Sequence, residues 1–600
     1  MSENVLPADV YSGHINMHSE KLAILTIKRN RLGWARLAMV IFPPSFIYFL
    51  LPGQLLLFLV AMVLAIAVFL WLVVKDIDNN QAISHLIHLI AVNQEEVTIN
   101  EGKYSDRDDG KQWEKVEHDY AADLDLFGKS SFFQFYNRCT SEQGGKLLAT
   151  RLQQPLPFHQ ISLLQNAVRE LKEKTTWRQE WQAIGREESF SLATEKRIND
   201  WLALSEKSLN TPFWNLILLV FPMISFGTLV LFTFSFIPFS LFIFLMIGYF
   251  YFAGIKVRQV NASHGYLSRI VPQINALQKQ LHHLELSSWN SPLMKEKLAI
   301  IKDQQQNAGR EFFQLKSILN RFDIRLNLVV NPILNIFFLW DIRQLKDLQK
   351  WKLRNSANVE KWISVMAETD VLISMATFSF NQSDFCFPVV DEKHFHFDAE
   401  ELGHPLIPYA KRVTNDVLTE GTGQVMLITG SNMAGKSTFL RSVGVNTVLA
   451  MMGSSVCAKR FFLSYVQVIS SMRIADNLAE NTSTFYAELK KLKTIIDRVN
   501  RKEGLLILMD EILRGTNSFD RHAGSEALIE QIIQLEAVAL VATHDVELGA
   551  LEKKYPKAIY NYHFDVQVKG EELFFDFKLK SGICQSMNAS ILMRKIGIHL

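Results

Sequence analysis

The sequence predicts an α/β domain at the C-terminal end, preceded by an all-helical region that carries two apolar helical hairpins. A glycine-rich loop follows an apolar strand-like run near residue 430, and two further runs of this kind downstream end in polar side chains. Two long stretches in the first half of the chain contain no charged side chain. With 600 residues, the chain is long enough to form several domains.

The glycine-rich loop has the sequence GSNMAGKST, in which Gly430, Gly435, Lys436 and Ser437 match the spacing G-x-x-x-x-G-K-[ST]. Glycines let backbone N–H groups surround phosphate oxygens, the lysine adds a positive charge, and the serine hydroxyl can ligate Mg²⁺. The pattern predicts a P-loop that binds ATP and Mg²⁺. Nine loop residues are predicted to bind the nucleotide: Gly430, Ser431, Asn432, Met433, Ala434, Gly435, Lys436, Ser437 and Thr438.

The two downstream strands supply the remaining candidate groups for hydrolysis. LLILMDE ends in Asp510, predicted to hold Mg²⁺ together with Ser437, and in Glu511, placed to polarise an attacking water. AVALVATH ends in His544, which could orient the terminal phosphate. We therefore predict Glu511, His544 and Lys436 as catalytic residues. The alternative is a decayed site that binds nucleotide without turnover, and the presence of Lys436, Asp510 and Glu511 disfavours it.

Composition excludes some partners and ligands. The net charge of +2 gives no global electrostatic argument for nucleic acid, so any basic surface must be local. The cysteines are far apart and form no CxxC pair, which favours reduced thiols and makes a zinc site unexpected. They are Cys139, Cys386, Cys457 and Cys584.

Two uncharged stretches, residues 37–74 and 208–255, are each long enough for two membrane crossings of roughly 20 residues. Pro52–Gly53 provides a turn in the first stretch, and residues 235–238 provide one in the second. A buried core helix would keep a polar face, whereas these helices are apolar nearly all round. The first crossing contains Pro43–Pro44, so a kinked or re-entrant element is an alternative there.

A third uncharged run, residues 326–340, is shorter and contains Pro332 and three asparagines. We expect it to pack in the protein core rather than to enter a membrane.

The charged flanks of the two hairpins predict their orientation. Basic residues precede and follow each hairpin in the chain, whereas the hairpin tips carry no charge. By the positive-inside rule, the flanks and both termini should therefore be cytoplasmic. This orientation predicts a multi-pass protein of the cell inner or plasma membrane. The flanking residues are Lys28, Arg29, Arg31, Arg36, Lys75, Lys207, Lys256 and Arg258.

The predicted domains follow from these patterns and from helical periodicity elsewhere. They are a cytoplasmic N-terminal segment (1–33), hairpin 1 (34–75), a helical and charged linker (76–123), a first helical part (124–207), hairpin 2 (208–256), a second helical part (257–380) and the α/β domain (381–600).

Several strings resemble the ATPase domain of the MutS mismatch-repair family: GSNMAGKST, DNLAENTSTFYAELKKLKTII, DEILRGTNSFD and ATHDVEL. ABC transporter ATPases share the plan but carry an LSGGQ-type signature, which does not occur here. The first helical part resembles the core, or lever, domain of MutS proteins, with Ser141 in place of a threonine. The residues that carry this second resemblance are Asn137, Arg138, Gly144, Lys146, Leu147, Leu148, Leu152, Pro155 and Leu156.

The resemblance covers residues 124–204 and 291–600 and implies a homodimer. In that family, the serine of the STF loop reaches the partner's terminal phosphate, and here it is Ser483. An alternative role for Ser483 is that of a plain helix N-cap. The Phe-x-Glu motif of mismatch-reading proteins is absent, and the interval between Arg325 and Trp362 is too short for their DNA clamp.

The preferred interpretation is a membrane-anchored MutS-like ATPase that dimerises and converts ATP binding into movement of the lever helices. One alternative is a membrane-tethered sensor of DNA mismatches or damage. Another is an ABC-type transport component, which the lack of ionisable residues in the crossings disfavours. The partner protein is not identified by the sequence. Weak, non-specific DNA contact is a further alternative to a solvated helix face for four basic residues, Lys295, Lys297, Arg310 and Lys316.

Overall fold

A computed structural model describes most of the chain. The described residues are 6–50, 55–115, 117–204, 208–303, 306–392, 395–431, 434–473, 484–569 and 572–584. The predicted turn Pro52–Gly53, the loop residues Asn432 and Met433, and Ser483 lie outside them.

The chain begins with two long helices, α1 (Pro7–Leu50) and α2 (Leu55–Asn100), which pack along each other. Helix α1 continues through both prolines of the predicted first crossing. Helix α2 continues past the expected end of hairpin 1, because the helical periodicity of residues 77–97 follows the apolar run without a break. Arg36 forms a 3.0 Å ion pair (Nη2–Oδ2) with Asp76, which ties the two helices together at the edge of the uncharged stretch.

Helices dominate the next 280 residues or so of the fold. The first part contains α3 (Phe132–Tyr136), α4 (Glu142–Gln153), α5 (Phe158–Glu173), α6 (Thr175–Glu187) and α7 (Leu192–Ala203). Hairpin 2 consists of α8 (Pro212–Thr233) and α9 (Phe239–Ala253). The second part contains α10 (Val257–Leu267), α11 (Val271–Glu285), α12 (Pro292–Ile301), α13 (Ala308–Phe322), α14 (Val330–Phe338) and α15 (Trp340–Asn381).

Helix α15 is the centre of the helical region and packs against α4, α5 and α13. Its residue Asp370 is buried and accepts hydrogen bonds from the Ser141 hydroxyl (2.5 Å) and the Trp181 indole (2.7 Å). Because a buried carboxylate needs such partners, these bonds fix how α15 meets α4 and α6. The aromatic residues of α3 are also buried: Phe132, Phe133 and Phe135.

Four described helical stretches are long and apolar enough to cross a membrane, judged by length and composition alone. They lie at 59–100, 212–233, 239–285 and 340–381. The most apolar window of the last one, within α15, is 83% buried inside the protein, whereas the other three windows are 11–17% buried. Helix α15 is therefore a core helix despite its composition.

The expectation that residues 326–340 pack in the core is wrong. Leu326, Leu328, Val329 and Ile333 are exposed, and α14 lies against the two helices of hairpin 2. Asn335 instead is buried. Asn327 is exposed as well, and among the apolar residues of the run Leu339 is fully buried.

Two sheets form the C-terminal part. The small sheet has the strand order β1-β5-β2-β3, and the large sheet has the order β10-β9-β4-β8-β7-β6, parallel except for β10. The strands are β1 (Val389–Asp391), β2 (His396–Leu402), β3 (Asn415–Glu420), β4 (Val425–Gly430), β5 (Arg460–Ser464), β6 (Gln467–Ser471), β7 (Leu505–Asp510), β8 (Val538–Thr543), β9 (Ile559–Lys569) and β10 (Glu572–Ser581). The helices are α16 (Lys436–Met451), α17 (Thr484–Asn500), α18 (Ser518–Gln534) and α19 (Leu551–Lys554). The predicted order, a helical region followed by an α/β domain, is confirmed.

Candidate nucleotide site

Three strands of the large sheet bring the predicted site residues to one edge. Strand β8 lies between β4 and β7, and all three run parallel. Each strand is buried along its whole length, which matches the apolar runs of the sequence. Because the carboxyl ends of parallel strands meet at one edge, the residues that follow the strands converge there, as ligand sites do in open α/β sheets.

The loop between β4 and α16 requires glycine at both of its ends. Gly430 has φ 151°, and a Cβ placed on it would lie 2.8 Å from the backbone oxygen of Phe564. Gly435 has φ 108° and is the N-cap residue of α16, where a Cβ would lie 3.1 Å from the Phe577 ring. The loop therefore leads directly into a helix N-terminus, which favours the binding of anions such as phosphate.

Lys436 is buried under this loop. Its ammonium donates hydrogen bonds to the backbone oxygens of Gly430 (2.8 Å) and Ser431 (3.0 Å). Burial lowers the pKa of Lys436, and the nearby carboxylates of Asp510 and Glu511 oppose that shift. The lysine thus lies within the loop, with carboxylates on one side and backbone carbonyls on the other.

Ser437 and Asp510 form a direct contact between α16 and the end of β7. The Ser437 hydroxyl donates a 2.5 Å hydrogen bond to Oδ2 of Asp510, and Asp510 is buried. A hydroxyl and a carboxylate are oxygen ligands of the kind that Mg²⁺ prefers. The residues present therefore fit a Mg²⁺ ion held beside the phosphates.

Glu511 is held from two sides. Its Oε1 lies 2.8 Å from Nε2 of His544, and its Oε2 lies 2.9 Å from Nε of Arg514. Burial lowers the pKa of His544, and the neighbouring Lys436 ammonium lowers it further. The lowered pKa favours the neutral imidazole, whose Nε2 lies within hydrogen-bonding distance of the Glu511 carboxylate.

Comparison with known proteins agrees with this geometry. The family model for MutS domain V matches residues 426–595. The part of the chain that carries the candidate site is thus similar to MutS domain V. The DNA mismatch repair protein MutS of Chlorobium phaeovibrioides is 36% identical over 234 residues, which cover 38% of this chain and 26% of that protein. The DNA mismatch repair protein MSH3 of Vanderwaltozyma polyspora is 33% identical over 237 residues, 38% of this chain and 23% of that protein.

A longer match reaches beyond domain V. MutS of Clostridium kluyveri is 29% identical over 321 residues, which cover 52% of this chain and 35% of that protein. The chain thus spans about a quarter to a third of the length of the curated relatives it matches.

The candidate site contains two residues that the sequence analysis missed. Arg514 contacts Glu511 and also donates to the backbone oxygen of Asp510 (3.1 Å). Glu488, on α17, accepts a 2.6 Å hydrogen bond from the backbone N–H of Leu513 and is buried. Both residues lie within the strings that resemble the MutS family, but no role followed from the strings alone.

These two residues support a turn with unusual backbone angles. Glu511 and Leu513 have φ values of 53° and 57°, a left-handed conformation that costs of order 1–3 kcal/mol for a residue with a side chain. The bonds from Glu488 and Arg514 hold this turn in place.

The other predicted residues fall into three groups. Ala434 is buried in the loop, and Thr438 lies in the first turn of α16 with an exposed side chain. Asn432, Met433 and Ser483 lie outside the described residues. In the basic set on α12 and α13, Lys295 and Arg310 are exposed as a solvated face requires, whereas Lys297 is buried and pairs with Glu368.

Proposed function

We propose that the chain is a membrane-anchored ATPase of the MutS type that binds ATP and Mg²⁺ and works as a dimer. The observation that carries the proposal is the convergence of Lys436, the Ser437–Asp510 pair and the Glu511–His544 pair at one sheet edge. The similarity of residues 426–595 to MutS domain V supports it.

Each of these residues would have a separate role in ATP hydrolysis. Lys436 and the loop backbone would hold the terminal phosphates, and Ser437 and Asp510 would hold Mg²⁺, which supplies positive charge when bound. Glu511 would accept a proton from, or orient, the attacking water. Its contacts with His544 and Arg514 hold the carboxylate in a fixed direction, which is the condition for positioning a water molecule.

Exposed apolar surface supports the anchoring. Helix α2 between Leu56 and Val74, and the helices α8 and α9, present many large apolar side chains to the surroundings, far more than the single exposed residues common on soluble proteins. Charged residues return only at the ends of these stretches. Representative exposed positions are Leu56, Leu64, Leu216, Leu219, Phe244 and Ile247.

A cluster of hydrogen bonds supports coupling between the membrane region and the ATPase. Asp123, in the linker that follows α2, is buried and accepts bonds from the Ser470 hydroxyl (2.7 Å), the Arg473 backbone N–H (2.9 Å) and the Lys491 ammonium (2.7 Å). Arg473 follows β6, and Lys491 lies on α17. The linker is therefore attached to both elements, so that motion of either would be transmitted to α2.

The enzymatic part is tested by hydrolysis measurements on the full chain in nanodiscs. We expect Mg²⁺-dependent release of phosphate from ATP, and Lys436→Ala should weaken nucleotide binding. Lys553→Ala, an exposed lysine on α19, is the matched control and should behave as the wild type. Wild-type rates in Lys436→Ala would contradict the assigned site.

The dimer is tested by mixing inactive subunits. Because the family resemblance places Ser483 at the partner's phosphate, Lys436→Ala and Ser483→Ala subunits together should form one intact site in a mixed dimer. Partial recovery of hydrolysis is expected. Absence of recovery, with mixed assembly confirmed, would count against a shared site.

The membrane topology is tested with reporter fusions. Fusions at Gly53 and at Ser235 should report the outer side of the membrane, and fusions after Ile77 and after Leu600 the cytoplasmic side. A cytoplasmic result at Gly53 would make the first hairpin a re-entrant element.

A second candidate function is recognition of DNA mismatches at the membrane. It is favoured by the relatives, which are named DNA mismatch repair proteins. The DNA titration described in the Discussion separates the two candidates.

A further inference from the structure

The segment of residues 326–338, which we name the α14 segment, exposes a run of large apolar side chains. Leu326 to Val330 are all exposed, Leu328 is 91% exposed, and Ile333 on the helix is exposed as well. Asn335, in contrast, is 4% exposed. A contiguous run of exposed apolar side chains marks a contact with surroundings less polar than water.

The asparagines of the α14 segment satisfy the backbone locally. Asn327 Oδ1 accepts hydrogen bonds from the backbone N–H groups of Val329 and Val330, both at 3.0 Å. The Asn335 amide donates to Asn331 Oδ1 (2.6 Å), and its oxygen accepts from the Asp341 backbone N–H (3.1 Å). Such internal partners are needed where no water can hydrogen-bond the ends of a helix.

The α14 segment continues the apolar surface of hairpin 2. The ring of Phe226, on α8, lies 5.0 Å from that of Phe337 and 5.5 Å from that of Phe338. The Ser225 hydroxyl donates to the backbone oxygen of Phe337 at 3.2 Å. The segment and the hairpin therefore form one packed unit whose outer face is apolar.

Both ends of the α14 segment lie at the same place. Arg325 Nε, before the segment, and Asp341 Oδ2, after it, are 3.7 Å apart. The helix itself has 9 residues, and at 1.5 Å per residue it is about 14 Å long, less than half the thickness of a bilayer core. The segment therefore leaves the protein surface and returns to the same side.

We propose that the α14 segment dips into the cytoplasmic leaflet of the lipid bilayer beside hairpin 2. This inference rests on the proposed membrane anchoring and adds a third, non-spanning contact to it. The occupant is lipid because the segment carries no charge, is continuous with the hairpin, and exposes its apolar side chains on the same unit. A dip of this kind would link the start of α15, the central helix, to the membrane surface.

The test uses single cysteines labelled with an environment-sensitive fluorophore in nanodiscs of phosphatidylcholine and phosphatidylglycerol. The native cysteines are replaced, and labels are placed at Leu328 (α14 segment), Phe244 (hairpin 2) and Leu353 (an exposed leucine on α15). Quenchers carried by lipid chains and quenchers dissolved in water are compared. We expect the label at 328 to respond to the lipid quencher like that at 244, and the label at 353 to respond only to the aqueous one.

The other outcomes overturn the proposal in distinguishable ways. A label at 328 that behaves like that at 353, while 244 contacts lipid, removes the dip and leaves the anchoring intact. A label at 328 shielded from both quenchers indicates a protein contact instead, such as a second copy of the chain. An aqueous response at 244 as well would contradict the anchoring itself. Unchanged ATP hydrolysis by the labelled variants shows that they are folded.

Discussion

The large sheet and hairpin 2 are both built from uninterrupted apolar runs, but they place those runs in opposite surroundings. Every residue of β4, β7 and β8 is buried. In α8, the buried residues are Leu218, Phe221, Ser225 and Thr228, of which two carry hydroxyl groups. An apolar run in the sequence therefore predicts only that its side chains are shielded from water. Whether protein or lipid shields them depends on how the element packs in the fold.

Polar side chains also have different roles in the two regions. Ser225 bonds to the backbone of Phe337, and the Thr228 hydroxyl lies 2.9 Å from that of Tyr249 on α9. In β4, β7 and β8, polar side chains appear only where the strands end, and there they contribute to the candidate site. Polar residues thus join helices together in one region and supply chemistry in the other. The following predictions test this contrast, beginning with the largest effect.

The first prediction compares one charge introduced into each region. Val541→Asp places an unpaired carboxylate inside β8, and we expect a loss of more than about 4 kcal/mol in stability, enough to unfold the domain. Leu219→Asp, on the exposed face of α8, should leave nucleotide binding intact and increase extraction by alkaline carbonate, because a central charge costs about 2.5–3.5 kcal/mol on insertion. ATP-dependent thermal shifts measure stability and nucleotide binding, and carbonate extraction measures membrane insertion. Loss of nucleotide binding in Leu219→Asp would break the contrast.

The second prediction concerns pH at the base of hairpin 1. Hydrogen bonds that the imidazole donates to the Glu180 and Glu187 carboxylates raise the pKa of His85, on α2, to about 9. A raised folded-state pKa stabilises the protein fully below the unfolded value near 6.5, and the contribution is lost as the pH rises through 9. We expect a loss of up to about 3 kcal/mol in the free energy of unfolding between pH 6.5 and 9.5.

Chemical denaturation across this pH range measures the His85 effect. His85→Gln should flatten the dependence, whereas His88→Gln, one turn along α2, should retain it. An unchanged slope in His85→Gln would show that other groups carry the dependence.

The third prediction concerns the polar end of β7. Glu511→Gln should bind ATP normally and turn over about a hundredfold or more slower, equivalent to about 2.7 kcal/mol, because the amide cannot act as a base. Glu420→Gln, an exposed carboxylate on β3, is the matched control and should retain the wild-type rate. Steady-state kinetics with a separate measurement of nucleotide affinity distinguish the two steps. Equal turnover in Glu511→Gln would exclude Glu511 as the base.

The fourth prediction concerns the connection between the two regions. Asp123→Asn keeps the shape of the side chain but cannot accept hydrogen bonds from all of its donors, so we expect a loss of about 2 kcal/mol. Hydrogen exchange should increase in β6 and α17 and leave β4 unchanged. Glu117→Gln, a highly exposed carboxylate in the same linker, should have little effect. Equal exchange in both variants would remove Asp123 from the connection.

The fifth prediction is that the protein does not discriminate mismatched from paired DNA. We expect less than a tenfold preference, about 1.4 kcal/mol, for a mismatched over a paired duplex. Reading a mismatch requires an aromatic wedge and a basic clamp. The wedge motif is absent from the sequence, and Lys297 of the basic set is buried against Glu368. Titrations at two salt concentrations, with and without ATP, measure the preference, and a value of tenfold or more would favour the mismatch sensor.

The α/β domain and most of the residues of its candidate site could be predicted from the sequence alone. The P-loop glycines, Lys436 and the strand-ending Asp510 could be recognised because their roles depend on local backbone geometry and on short spacings. The strands could be recognised because a sheet covered on both faces requires continuous apolar runs.

Only the tertiary structure decided which apolar and charged residues are buried. Composition suits both α15 and α8 for a membrane, yet α15 is enclosed by other helices. The exposure of the α14 segment and the contacts of Asp123 likewise depend on neighbours distant in the chain. Burial and hydrogen bonding depend on the residues that pack against a side chain, and local sequence patterns do not reveal neighbours that are distant in the chain.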